Sequence, residues 1–158
     1  MPVFIPKPEQ QAAFWQQSLE PGEQIQSAWW FEQRLPLLIA ILLEQGGAIA
    51  ETIFSALRHR YFGALTDRRL LIMGSTGWHD PITSKFEALP RGSVACTQFA
   101  NWLGHVAMDL QVAGEQSVRR YRVPRSQSQQ AEACQTLVGG GLAPMPPGGP
   151  MPPPTPSA

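Results

Sequence analysis

The stretch YFGALTDRRLLIMG, from Tyr61 to Gly74, constrains the fold more than any other part of this chain. Residues 61–65 and 70–73 are aromatic and aliphatic, the composition of strands on a pleated, half-buried surface. Thr66-Asp67-Arg68-Arg69 between them is polar, and Asp tolerates the backbone angles that a tight turn demands. Two β-strands joined by a very short loop are the expected result.

The rest of the chain reads mostly as further strands. Pro8 suits the first turn of a short helix over residues 8–17, and Pro21-Gly22 signals a turn. Residues 24–31 alternate, with Ile25, Ser27, Trp29 and Phe31 on one face and Gln26, Ala28 and Trp30 on the other. Residues 82–89 make a weaker strand. Residues 94–102 and 104–112 make a second hairpin, in which Val106, Met108, Leu110 and Val112 point one way and His105, Ala107, Asp109 and Gln111 the other. The last strand, over residues 116–123, is ended by Pro124. A helix is expected over residues 128–138, with Ser126 or Ser128 as N-cap, Gly139 as C-cap and a stripe of Ala131, Cys134, Leu137 and Val138. The expected core includes Ile25, Trp29, Leu65, Leu70, Ile72, Phe99, Met108, Leu110, Tyr121, Leu137 and Val138. From Gly139 on the sequence is Gly- and Pro-rich with almost nothing to bury, so disorder is expected over residues 139–158.

Leu19-Glu20-Pro21-Gly22-Glu23 before the first strand, and Leu65-Thr66-Asp67-Arg68-Arg69-Leu70 in the hairpin, give the chain a recognisable frame. It resembles the bacterial pleckstrin-homology-like domains over residues 19–138. The resemblance implies a mainly β fold with α (α+β). Its seven-stranded antiparallel sandwich, or partly open barrel, is capped by a C-terminal helix, and residues 1–18 form a helical extension. It implies a fold rather than a mechanism, since the family is itself mostly of unknown function. In the eukaryotic relatives of that family a basic loop between the first two strands binds phosphoinositides. Here an apolar segment replaces it, so that lipid specificity does not carry over.

The segment is LPLLIAILLEQGGAIAETIFSAL, residues 35–57. Its uninterrupted apolar run is too short to span a bilayer, and Glu44 and Glu51 are costly in hydrocarbon. The strands on either side should pair, which puts their ends about 5 Å apart, whereas one straight helix of this length would hold them roughly 34 Å apart. Gly46-Gly47 can turn a helix back, so a helical hairpin over residues 36–45 and 48–58 is expected between the first two strands. Leu37, Leu38, Ile41 and Leu42 on one arm, with Ile49, Ile53, Phe54 and Leu57 on the other, offer more than one apolar face. Three occupants compete for that surface: the protein's own sandwich, a second copy or other protein, and the interface of an anionic membrane.

Charge narrows the partners. The net charge is zero, so no overall field favours nucleic acid. Residues 58–125, however, carry ten Arg or Lys against five acids, while residues 1–57 carry two against six. Arg58, Arg60, Arg68, Arg69, Arg120 and Arg122, with Lys85, Arg119 and Arg125 nearby in sequence, are candidates for an anionic ligand. A structural role competes for the hairpin set: Asp67 capping the turn while an Arg braces a neighbouring strand. Cys96 and Cys134 read as reduced thiols of a cytoplasmic protein, and they and the three His show no metal-ligand spacing. Trp78-His79-Asp80 lacks an accompanying nucleophile. No cofactor, metal or catalytic residue is expected. The function expected is a non-enzymatic module that self-associates or binds protein. Peripheral attachment to anionic lipid through residues 35–58 is the alternative.

Overall fold

The structure, a computed structural model, describes residues 8–35, 59–76, 80–102 and 104–139. The expected helical hairpin, with Leu37, Leu38, Ile41, Leu42, Ile49, Ile53, Phe54, Leu57 and Arg58, lies outside the described residues, as do Trp78, His79 and residues 140–158. The chain runs α1 (Pro8–Trp15), β1 (Ile25–Gln33), β2 (Arg60–Thr66), β3 (Arg69–Thr76), β4 (Asp80–Pro90), β5 (Val94–Trp102), β6 (His105–Val112), β7 (Arg119–Pro124) and α2 (Ser128–Ala131). The seven strands form one antiparallel sheet in the order β4-β3-β2-β1-β7-β6-β5.

Leu65 pairs with Leu70, so Asp67 and Arg68 alone form the loop of the first hairpin. The cap is Thr66 rather than Asp67. Its hydroxyl oxygen accepts from the backbone N–H of Arg68 at 3.2 Å and of Arg69 at 2.9 Å. Asp67 instead reaches across to the residue just before β1, where its Oδ1 accepts from Gln24 N–H at 3.0 Å.

Strands from both ends of the sheet order share one core. Leu70, Ile72 and Leu89 of β3 and β4 join Val94, Met108, Leu110 and Tyr121 of β5 to β7, with Trp29 and Phe31 of β1 among them. The sheet therefore curls over on itself, as a sandwich does. Val106, Met108, Leu110 and Val112 face this core as period two requires. Gly63 of β2 permits the packing: a Cβ there would stand 2.7 Å from the Phe31 ring and 3.2 Å from the Trp29 ring.

The other face of β1 to β4 is also buried. Trp30, Phe62, Ala64, Leu71 and Met73 form a second cluster with Trp15, the last residue of α1, which is wholly buried. Phe14 stacks obliquely on Phe62, the ring centres 5.6 Å apart. Gln11 meets Gln127, and the Gln127 Oε1 also accepts from Trp30 N–H at 3.3 Å.

Five sequence expectations are corrected. Ile25 packs on the second cluster, not on the Trp29 core, because the β1–β2 register shifts between Ile25 and Ser27 and a bulge moves every earlier residue to the other face. The C-terminal helix is shorter than residues 128–138: α2 ends at Ala131 and continues as a 3₁₀ turn, Glu132–Thr136. Its N-cap is Gln127, and no side chain caps it. Leu137 is extended, its C=O accepts from Cys96 N–H at 2.9 Å, and Val138 bridges to Ala95. That extension pairs part of the open edge of β5, and it leaves Val138 82 % exposed, outside the core. The last strand starts at Arg119 rather than at residue 116. No helix among the described residues is long and apolar enough to cross a membrane.

Candidate functional site

The two motifs of the sequence frame meet in space. Pro21 and Gly22 form a turn in which Glu23 N–H bonds Glu20 C=O at 3.0 Å, and Gly22 takes the positive φ of 78° that a type II turn needs. The turn delivers the Glu23 carboxylate, its side chain fully buried, onto the hairpin. There Arg69 grips it with two bonds, Nε to Oε1 at 2.8 Å and Nη2 to Oε2 at 2.7 Å. The Thr66 hydroxyl donates to Oε1 at 2.7 Å and Glu20 N–H to Oε2 at 2.9 Å. Arg69 adds Ser18 C=O at 3.1 Å and the Glu20 carboxylate at 3.0 Å. Arg69 thus serves as the brace that joins the chain before β1 to the β2–β3 turn. Arg68 beside it is half exposed, with Asp67 at 3.6 Å and Glu20 at 3.9 Å.

Arg60, Arg120 and Arg122 lie elsewhere, near the far end of β1. Arg60 is at the opposite end of β2 from the turn, about 20 Å away at the rise of a strand. In the strand register Glu32 of β1 faces Arg60 of β2 on one side and Arg122 of β7 on the other. Arg60 Nε donates to Glu32 at 3.3 Å, Arg122 Nε donates to it at 2.5 Å, and Arg122 also pairs with it through a terminal nitrogen. One step further Asp109 of β6 lies 3.3 Å from Arg34 and 4.0 Å from Arg120, which is 65 % exposed. Period two places Arg120 and Arg122 together, as the sequence suggests. Their acids come from neighbouring strands. Among the described residues Arg34, Arg60, Arg120 and Arg122 thus gather around Glu32 and Asp109, at the corner where the chain leaves β1 and re-enters β2.

Arg119 has the parity of Tyr121 and Val123 and so points inward. It spans the mouth of the sandwich to β4, bonding Glu87 with Nη1 at 2.6 Å and Nη2 at 2.9 Å, and it also holds Glu115. Both acids push its ionisation upward, Glu87 most. Beneath it Tyr121 stands edge-on to Phe31 at 4.7 Å and to Tyr61 at 5.8 Å. Burial pushes the Tyr121 hydroxyl up to about 12 and raises that of Tyr61, so both remain O–H groups. Tyr61, Glu87, Arg119 and Tyr121, with Gln33, Arg34, Ile72, Ser117, Val118 and Arg120, line a cavity of about 460 Å³. Sequence reading missed this cavity because Glu87 and Arg119 lie on strands with no local signal of meeting.

The ends of the apolar segment adjoin this mouth. Gln33 N–H bonds His59 C=O at 2.9 Å and Arg34 N–H bonds Arg120 C=O at 2.9 Å. Whatever lies between Leu35 and His59 leaves and returns at one corner. The arrangement offers recognition surfaces, a cationic face and a tyrosine-lined cavity. No protein-family model, curated protein or solved structure matches the chain.

Proposed function

We propose that this chain is a non-enzymatic interaction module of pleckstrin-homology-like build that self-associates through residues 35–58. The observation that carries this reading is the pairing of Gln33 with His59. It brings the two ends of the apolar segment together at one corner of the sheet, as a docking element requires. Its surplus needs a partner, because each apolar face of the sheet already has a cover among the described residues: the curled sheet with α2 on one side, α1 on the other. A symmetric copy is the commonest partner. Because the segment's ends adjoin, residues 36–57 can be replaced by a short Gly-Ser turn without disturbing the sheet. Light scattering should find the full chain, and a chain lacking residues 140–158, as oligomers, and the Gly-Ser variant as a folded monomer. A Gly-Ser variant with the full chain's mass would remove the segment from assembly.

A second reading is favoured by the clustering at that same corner of Arg34, Arg60, Arg120 and Arg122. An apolar element flanked by basic residues suits the surface of an anionic membrane. On this reading the chain sediments with phosphatidylglycerol vesicles, less with phosphatidylcholine vesicles, and no longer after Leu38→Glu and Ile41→Glu together. Equal binding to both vesicles, or none, counts against it.

A further inference from the structure

We propose that the cavity between β4 and β7 is the seat of the chain's own Pro-rich segment, residues 140–158, bound as a polyproline II helix. Such a helix has fixed backbone angles, flat prolyl rings and backbone C=O groups that accept without internal bonds. Grooves that take it offer aromatic faces and hydrogen-bond donors. This cavity has both kinds of residue in its lining: Tyr61 and Tyr121, beside Gln33 and the exposed Arg120 guanidinium. Both hydroxyls stay protonated, since burial raises their ionisation.

Charge also selects this occupant. Each guanidinium of the lining has a carboxylate within ion-pair reach: Arg119 has Glu87 and Glu115, while Arg34 and Arg120 share Asp109. Among the described residues three bases meet three acids, so an added anion gains little. Residues 140–158 bear no charged side chain, and Met145-Pro146-Pro147 and Met151-Pro152-Pro153-Pro154 repeat the apolar, prolyl pattern.

Reach is sufficient within one chain. Val138 bridges Ala95, Ala95 pairs with Gln111, and the adjacent Leu110 pairs with Arg119 at the cavity rim. At strand spacing the segment therefore starts about 15 Å from its seat. Extended as polyproline II, residues 140–158 reach about 59 Å. A tether of this kind holds its ligand at an effective concentration in the millimolar range, so modest affinity is enough for occupancy.

The test uses the full chain and a full-length variant in which Pro146, Pro147, Pro152 and Pro153 are all replaced by Ser. Each is titrated calorimetrically with a synthetic peptide of residues 142–157. The expected result is binding by the variant and at least ten-fold weaker binding by the unmodified chain, whose seat is taken, with that ratio unchanged on dilution. Val118→Glu, at a position on the rim that is 38 % exposed, should weaken the variant's binding ten-fold or more. Tyr61→Phe, which removes only a hydroxyl, should weaken it measurably. No peptide binding by the Ser variant would overturn the proposal. So would equal affinities for the two chains, a difference that disappears on dilution, or binding indifferent to both Val118→Glu and Tyr61→Phe.

Discussion

Glu23→Gln should lower the free energy of unfolding by about 3 kcal/mol, the cost of leaving a buried partner charge without its counterpart. The Glu23 side chain is fully buried and Arg69 donates to it twice, so the substitution takes the buried counter-charge from Arg69 and leaves it only the more exposed Glu20 carboxylate. The same contact sets an acid dependence. Hydrogen bonds from Arg69, aided by Glu20 N–H and Thr66, outweigh burial and hold the Glu23 carboxyl at about 2, against an ordinary 4.5. A carboxyl with a depressed folded value stabilises fully above its unfolded value and loses that contribution as pH falls toward the folded one. Urea midpoints between pH 6 and pH 2 should therefore fall more steeply for the unmodified chain than for Glu23→Gln. Parallel curves, or a loss below about 1 kcal/mol at pH 7, would mean that the two motifs do not lock the fold.

Leu110→Ala should cost about 2–5 kcal/mol, since a wholly buried Leu loses its transfer energy and leaves a cavity. Leu110 sits on β6 among residues from both halves of the curled sheet. Val138→Ala is the matched control, expected within about 0.5 kcal/mol at a position that is 82 % exposed. Denaturant unfolding followed by tryptophan fluorescence reads both. Equal losses at the two positions would contradict the packing described.

Local pattern carried much of the fold into view. The two hairpins, the parity of β6 and the sharing of a face by Arg120 and Arg122 all follow from residues close in sequence. What stayed hidden depends on partners far away. Residues 61–65 and 70–73 are apolar at nearly every position, the mark of strands buried on both faces. That signal was present, yet only α1 packing through Trp15 explains it. The bulge at Ile25 leaves no trace in an alternating pattern. Val138 fits a helical stripe, but pairing the edge of β5 draws the chain straight after Thr136. At the candidate site, the basic residues were legible individually, whereas Glu32, Asp109 and Glu87, which pair with them, come from other strands. The cavity arises only when β4 and β7 close on each other.

The molar mass of the full chain in detergent-free solution, measured across a dilution series, tests the central claim most directly. Assembly through residues 35–58 predicts a discrete multiple of 17.4 kDa that falls to 17.4 kDa in the Gly-Ser variant. A soluble full chain at 17.4 kDa at every concentration would contradict it.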